Sequence, residues 1–265
     1  MIEEKKFDTW IELQEYLFNF EKGSIHNRYR SSLAYRGVSN AGYDLKTSLM
    51  RLNNKTAEKH LLRNFKKYAN TLIKDNDNVW ELLAIAQHYG LPTRLLDWSF
   101  SPYVALHFAT SNSREFNKDG AIWCMDILKV NELLPDKLNE ILKDEGSLVF
   151  TVDSLKNISL NEFDNLNNNQ IEDEDKDFVI CLEPPSIDER IINQYAMFTV
   201  ISNPNKKFDE LMDEHPDGIY TKIIIPKELK MEIRDKLDQA NISERIIYPG
   251  LEGISAWLKR YYTKF

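Results

Sequence analysis

Residues 82–110, LLAIAQHYGLPTRLLDWSFSPYVALHFAT, set His88, Tyr89, Arg94, Asp97, Trp98 and two serines among apolar side chains. An ordinary core segment does not mix the two so densely. The run divides into three predicted elements. A helix over 79–89 is ended by Gly90 and Pro92. Leu95 to Trp98 then reads as a brief strand, and Ser101 caps a helix opened by Pro102 and running through Ala109, because proline suits the first helical turn. Leu95, Leu96, Val104, Leu106 and Phe108 anchor this unit in a core on one side. The polar groups are then expected to line a cleft on the other.

Outward from that unit, 7–20 (FDTWIELQEYLFNF) places Trp10, Leu13, Leu17 and Phe20 at helical spacing, with Asp8 or Thr9 as cap. Leu33 to Tyr35 predicts a short strand ending at Arg36 and Gly37, and the SNAG turn leads to a second extended piece over 43–49. A helix follows over 56–74. Downstream, GAIWCMDI is a buried-type strand and 129–142 is largely helical. DFVICLEP, AMFTVIS and GIYTKIIIP are further strands, separated by short helices at 188–195 and 208–212. Pro226 opens a helix to about Gln239, ERIIY reads as another short strand, and 251–262 closes as a helix. No repeat period is visible. Strands mixed irregularly with helices predict an α+β fold, a mostly antiparallel mixed sheet flanked by helices.

The 265 residues suit one domain, 1–265, with a modest insertion, and 42% hydrophobic with 29% charged residues is the composition of a soluble globular chain. No run of about 18 apolar residues reads as membrane-spanning. MIEEKKFDTW has no basic-then-apolar secretory pattern. Cys124 and Cys181 lie in strand-like runs without a CxxC or HxxxH companion, so neither a disulfide framework nor a metal is expected, and a cytoplasmic location is. Net charge is −8, and residues 153–177 hold eight acidic groups against two lysines. That segment, rich in Asn, Asp and Glu, is expected to be a flexible surface insertion whose removal over 157–175 leaves the fold intact.

Three places concentrate candidate chemistry: Tyr35-Arg36-Gly37, the 82–110 unit, and YPGLEGIS around Glu252. Arg36, at a strand end with glycine beside it, can clamp a phosphate bidentately or tie two loops through a carboxylate. Glu252, between Gly250 and Gly253, is either a catalytic carboxylate or the negative charge favoured at the start of the last helix. Arg94 and Asp97 can pair and hold the strand, or serve recognition. His88 offers an acid or base near neutral pH, or a helix cap. Trp98 and Tyr103 offer flat faces for a nicotinamide or nucleobase, or plain core.

Tyr35-Arg36-Gly37, LKTSLMR, AQHYGLPTRLLDWSFSPYVALHFA, RIINQYAMF and RIIYPGLEG, in that order, resemble the FRG domain family, with Arg190, Gln194 and Phe198 fitting its later positions. A second similarity is to ADP-ribosyltransferases of the Arg-Ser-Glu type. It rests on Arg36 at its strand end and on SPYVALHFA, and it implies an ADP-ribosyltransferase-like fold with NAD as cofactor. It aligns the Ser-Thr-Ser positions with Asp97, Trp98 and Ser99, of which only the last serine is kept. The catalytic glutamate would be Glu252 or Glu244, neither in a Gln-x-Glu or Glu-x-Glu setting. With the chemistry of the neighbouring residues, catalysis is expected of Glu252, His88 and Ser99, and NAD binding of Arg36, Tyr35, Gly37, Tyr89, Arg94, Asp97 and Trp98.

Three functions follow as expectations: an enzyme that cleaves NAD and modifies a protein or nucleic acid as a toxin or anti-phage effector; a nucleotide-binding module without turnover; or a structural interaction domain. The first two require Arg36, His88, Asp97 and Ser99 to converge on one pocket, and a carboxylate within reach of Arg36 and Ser99 separates them. The third requires Arg94 and Asp97 to be paired and sealed from every cavity.

Overall fold

The computed structural model describes residues 2–20, 28–52, 54, 57–69, 71–73, 78–166 and 177–263. Among them, eight strands form one sheet: β1 (Glu3–Lys6), β2 (Leu33–Val38), β3 (Leu96–Ser99), β4 (Gly120–Asp126), β5 (Phe150–Thr151), β6 (Val179–Glu183), β7 (Ala196–Ile201) and β8 (Tyr220–Ile225). Their order is β1-β8-β4-β2-β3-β7-β6-β5, parallel at the two outermost pairings and antiparallel within. The helices are α1 (Trp10–Phe18), α2 (Ala57–Ala69), α3 (Val79–His88), α4 (Pro102–Thr110), α5 (Ile127–Asn131), α6 (Asp136–Glu145), α7 (Leu160–Asp164), α8 (Glu189–Gln194), α9 (Phe208–Glu214), α10 (Lys230–Gln239), α11 (Glu244–Ile247) and α12 (Leu251–Tyr261). This is the expected α+β class.

Alternation along the strands divides the core. Ala34, Leu96, Trp98, Met125, Cys181 and Met197 face one side and pack under α5 and α9. On the other side the apolar residues form two groups. Tyr35, Ile122, Cys124, Ile223 and Ile225 meet α1, α4 and α10. Ile180, Leu182, Phe198 and Val200 meet α2, α3, α6 and α7. Between these groups β3 presents Asp97 and Ser99, since side chains two apart share a face. A seam therefore runs along the second face, floored by the polar side of one short strand.

The caps follow their residue types. Thr9 accepts from Glu12 N, and Ser101 accepts from Val104 N with Pro102 in the first turn. Asn78 caps α3, and Gly90 takes φ 79°, the left-handed region that ends a helix most readily on glycine.

Several expectations are corrected. The segment 43–49 forms no strand; its backbone instead docks on the chain after α3, Leu49 N donating to Thr93 O. ERIIY is not a strand: residues 244–247 form α11, because Ser243 O accepts from Ile246 N and Ile247 N and turns the chain helically. The 129–142 helix is two, α5 and α6, with Pro135 at the N-cap of the second. Within the acidic segment, residues 153–166 are packed: Leu155, Ile158, Phe163 and Leu166 belong to the core, and Ile158 O accepts the Trp80 indole N–H at 2.8 Å. The rest of that expected insertion, 167–176, lies outside the described residues.

Candidate functional site

β2 and β3 share a single register pair, Tyr35 with Ser99. Beyond it the Arg36 guanidinium crosses to β3, where Nη1 donates to Asp97 O at 2.5 Å and lies 3.8 Å from the Asp97 carboxylate. Burial pushes the Arg36 pKa below the ordinary guanidinium value; Asp97 opposes this and Arg51 reinforces it. Arg36 Nε is buried without a partner, a donor that a polar ligand would satisfy. The Asp97 carboxylate is held from α3: Gln87 Nε2 donates to both oxygens, at 3.0 and 3.1 Å. Gln87 Oε1 in turn accepts from Thr93 Oγ1 at 2.6 Å, which fixes the orientation of the amide.

These groups enclose a cavity of about 260 Å³ in the seam, lined by Arg36, Gln87, His88, Asp97, Arg190 and Gln194 over an apolar base from α4 and β7. Beside it opens a wider cleft of about 700 Å³ that shares Gln87, His88 and Arg190 and adds Tyr89, Asp188, Tyr248 and Glu252. His88 stands between the two. Its Nε2 lies 2.7 Å from Asp188 Oδ2, and because a carboxylate only accepts, Nε2 is the donor of this contact. Asp188 Oδ1 meanwhile caps α8 through Arg190 N and Ile191 N. One carboxylate thus sets both the His88 ring and the helix that supplies Arg190 and Gln194.

Arg36, His88, Asp97 and Ser99 are brought to one cavity, as expected. Ser99 has a positioning geometry there: its Oγ donates to Gln194 O at 2.7 Å and accepts from Ser101 N at 3.0 Å, so the hydroxyl is committed to the backbone. Tyr35 reaches the cavity wall, but its ring is core and burial raises the phenol pKa well above its usual value. Gly37 serves packing, since a Cβ there would lie 1.8 Å from Ala105 O; the space is taken by α4, not by a ligand. Tyr89 lies on the outer cleft and is exposed.

The Trp98 ring, Arg94 and Glu244 are placed away from the cavity. The Trp98 indole faces the opposite side of the sheet, tilted against Phe208 with its N–H on Thr199 Oγ1 at 2.9 Å, and offers no stacking face in the cavity. Arg94 does not pair with Asp97. It is buried between Glu58 of α2 and Asp164 of α7 and joins those helices to the start of β3. Of the glutamates, Glu244 is sealed among Arg234 and Arg260, and Glu252 sits on the outer cleft in the first turn of α12. The carboxylate within reach of Arg36 is Asp97.

Residues 31–118 match the FRG domain family model. The chain carries an FRG domain. No curated protein and no solved structure matches the chain. The FRG domain match takes in Arg36, Gln87, His88, Asp97 and Ser99, and it stops before β4, so the Arg190 and Gln194 wall lies beyond it. That wall, with Asp188, completes the site that the FRG domain residues begin. Arg190 and Gln194 are four apart on α8, a spacing that puts both on one helix face and is readable from sequence. Gln87 gave no such signal. Two residues after Gln194, where a Gln-x-Glu motif would carry its glutamate, stands Ala196, in register with Ser99 and lining the cavity.

Both thiols are inert, burial pushing Cys124 and Cys181 up to about 12. Among the described residues no group of His, Cys, Asp and Glu could hold a metal ion, and no helix is long and apolar enough to cross a membrane.

Proposed function

We propose that the seam is a nucleotide site and that the protein is an ADP-ribosyltransferase-like enzyme acting on NAD, with Asp97 as its carboxylate. The observation that carries this reading is the placement of the Arg36 guanidinium and the Asp97 carboxylate on adjoining strands in one cavity. Breaking a nicotinamide–ribose bond builds positive charge on the ribose, which a fixed carboxylate stabilises. Gln87 fixes Asp97 by its two hydrogen bonds. Arg36 and Arg190 are the cations available to phosphate oxygens, in line with the preference of such groups for guanidinium. His88, set by Asp188, stands where the inner cavity opens and can take a proton from an incoming nucleophile. The inner cavity is sized for part of a dinucleotide, and the outer cleft supplies the remaining length.

A second reading, binding without turnover, is favoured by Ala196 in the Gln-x-Glu register. Nicotinamide release separates the two. Wild-type protein incubated with NAD should release nicotinamide, Asp97→Asn should slow release by about 10²–10³-fold, and Arg36→Ala should weaken NAD binding. Binding of NAD without release would establish the second reading. Release untouched by Asp97→Asn would remove Asp97 from catalysis.

A further inference from the structure

We propose that the outer face of α2 is a docking surface for a nucleic-acid strand. Lys59, Arg63 and Lys67 follow one another at i, i+4 and i+8, forming one exposed ridge of three cations over about 12 Å of helix. His60 and the almost fully exposed Tyr68 flank it. None of the three is in an ion pair among the described residues, and Lys67 meets only the Asn64 side chain. The single carboxylate of α2, Glu58, is turned inward onto Arg94. Like charges four apart weaken a helix, so this ridge works against α2 unless an anion covers it, and it stands on a chain of net charge −8.

Exposed Arg51 precedes α2 and lies near enough to Arg36 to disfavour its charge, and Glu58 is tied through Arg94 to the start of β3. A nucleic-acid strand offers evenly spaced single charges for such a row and bases to stack on Tyr68. A membrane surface fits less well, because the outward residues of α2 provide no apolar face to insert.

Fluorescence anisotropy without NAD tests this independently of NAD cleavage. The probe is a fluorescein-labelled 20-nucleotide single-stranded DNA, with duplex DNA and RNA of equal length as further arms. Wild type should bind at least one of them at 50 mM salt and lose affinity on going to 200 mM. The combined variant Lys59→Gln, Arg63→Gln, Lys67→Gln should bind about tenfold or more weakly at 50 mM, with a log–log salt slope shallower by about 2 on single strands. Arg63→Gln alone should flatten it by about 0.7, which keeps the test open if the combined variant melts early. Absence of binding to all three probes, an unchanged slope in both variants, or equally tight binding to polyglutamate or to phosphatidylserine vesicles would overturn the assignment.

Discussion

Arg94 and Arg36 bracket β3 and are predicted to fail in different ways when replaced. Arg94→Met leaves Glu58 and Asp164 without their shared guanidinium, and Glu58 is buried, so a loss of about 3–5 kcal/mol is expected in urea unfolding. Arg36→Ala removes a group that borders a cavity, and its urea midpoint should move less while ligand binding is lost. The convergence of Arg36, His88 and Asp97 was readable because each is a charged or titratable residue set within an otherwise apolar run. The partners of Arg94 were not: they come from 36 residues before it and 70 after it, a pairing only the fold creates. His107 supplies a second test at this scale. Its Nδ1 accepts from buried Arg234 at 2.9 Å, and burial followed by Arg234 lowers its pKa to about 3. The folded protein therefore binds fewer protons than the unfolded chain between pH 6.5 and about 3. Stability from this group is complete above pH 6.5 and falls by about 1.4 kcal/mol per pH unit below it. Urea midpoints measured from pH 7 to 4 should show that slope, and His107→Gln should flatten it.

At the scale of elements, α7 and the turns before it are a cover for α3, and the expectation of a flexible surface segment fails over 153–166 for a definite reason. Composition averages over the whole segment and hides Leu155, Ile158, Phe163 and Leu166, four apolar residues that all reach the core. Phe163 meets Trp80 and Phe178 edge to face, at ring distances of 5.1 Å. Phe163→Ala should cost about 3–5 kcal/mol, and deleting 157–175 should lower the melting temperature sharply in calorimetry, contrary to the expectation from composition. Helix α4 was legible throughout, because Ser101 and Pro102 fix its start by mechanism. Residues 244–247 were not, since a single Ile246-Ile247 pair in so short a run suits strand and helix alike. β1 was missed because EEKK has no strand pattern; it pairs in parallel with β8 through backbone groups, which any side chain permits.

For the whole molecule, the seam is where two helix groups on one sheet face come closest without merging. One core lies beneath both, running from Ala34 and Met125 on β2 and β4 to Met197 and Cys181 on β7 and β6. Above the sheet the two groups are bridged by polar contacts, Arg36 to Asp97 and Gln87 to Asp97, across β2, β3 and α3. A ligand seated there touches β2, β3, α3 and α8 together and so stabilises the folded state only when both helix groups are in place. At a free concentration one hundred times its Kd, such a ligand adds about 2.7 kcal/mol, a rise of roughly 5–10 °C for a chain of this size. On the proposed reading NAD should produce that rise in differential scanning calorimetry in wild type and not in Arg36→Ala, whereas Glu252→Ala, out on the rim, should keep most of it. A rise of equal size in wild type and Arg36→Ala would place the ligand away from the seam.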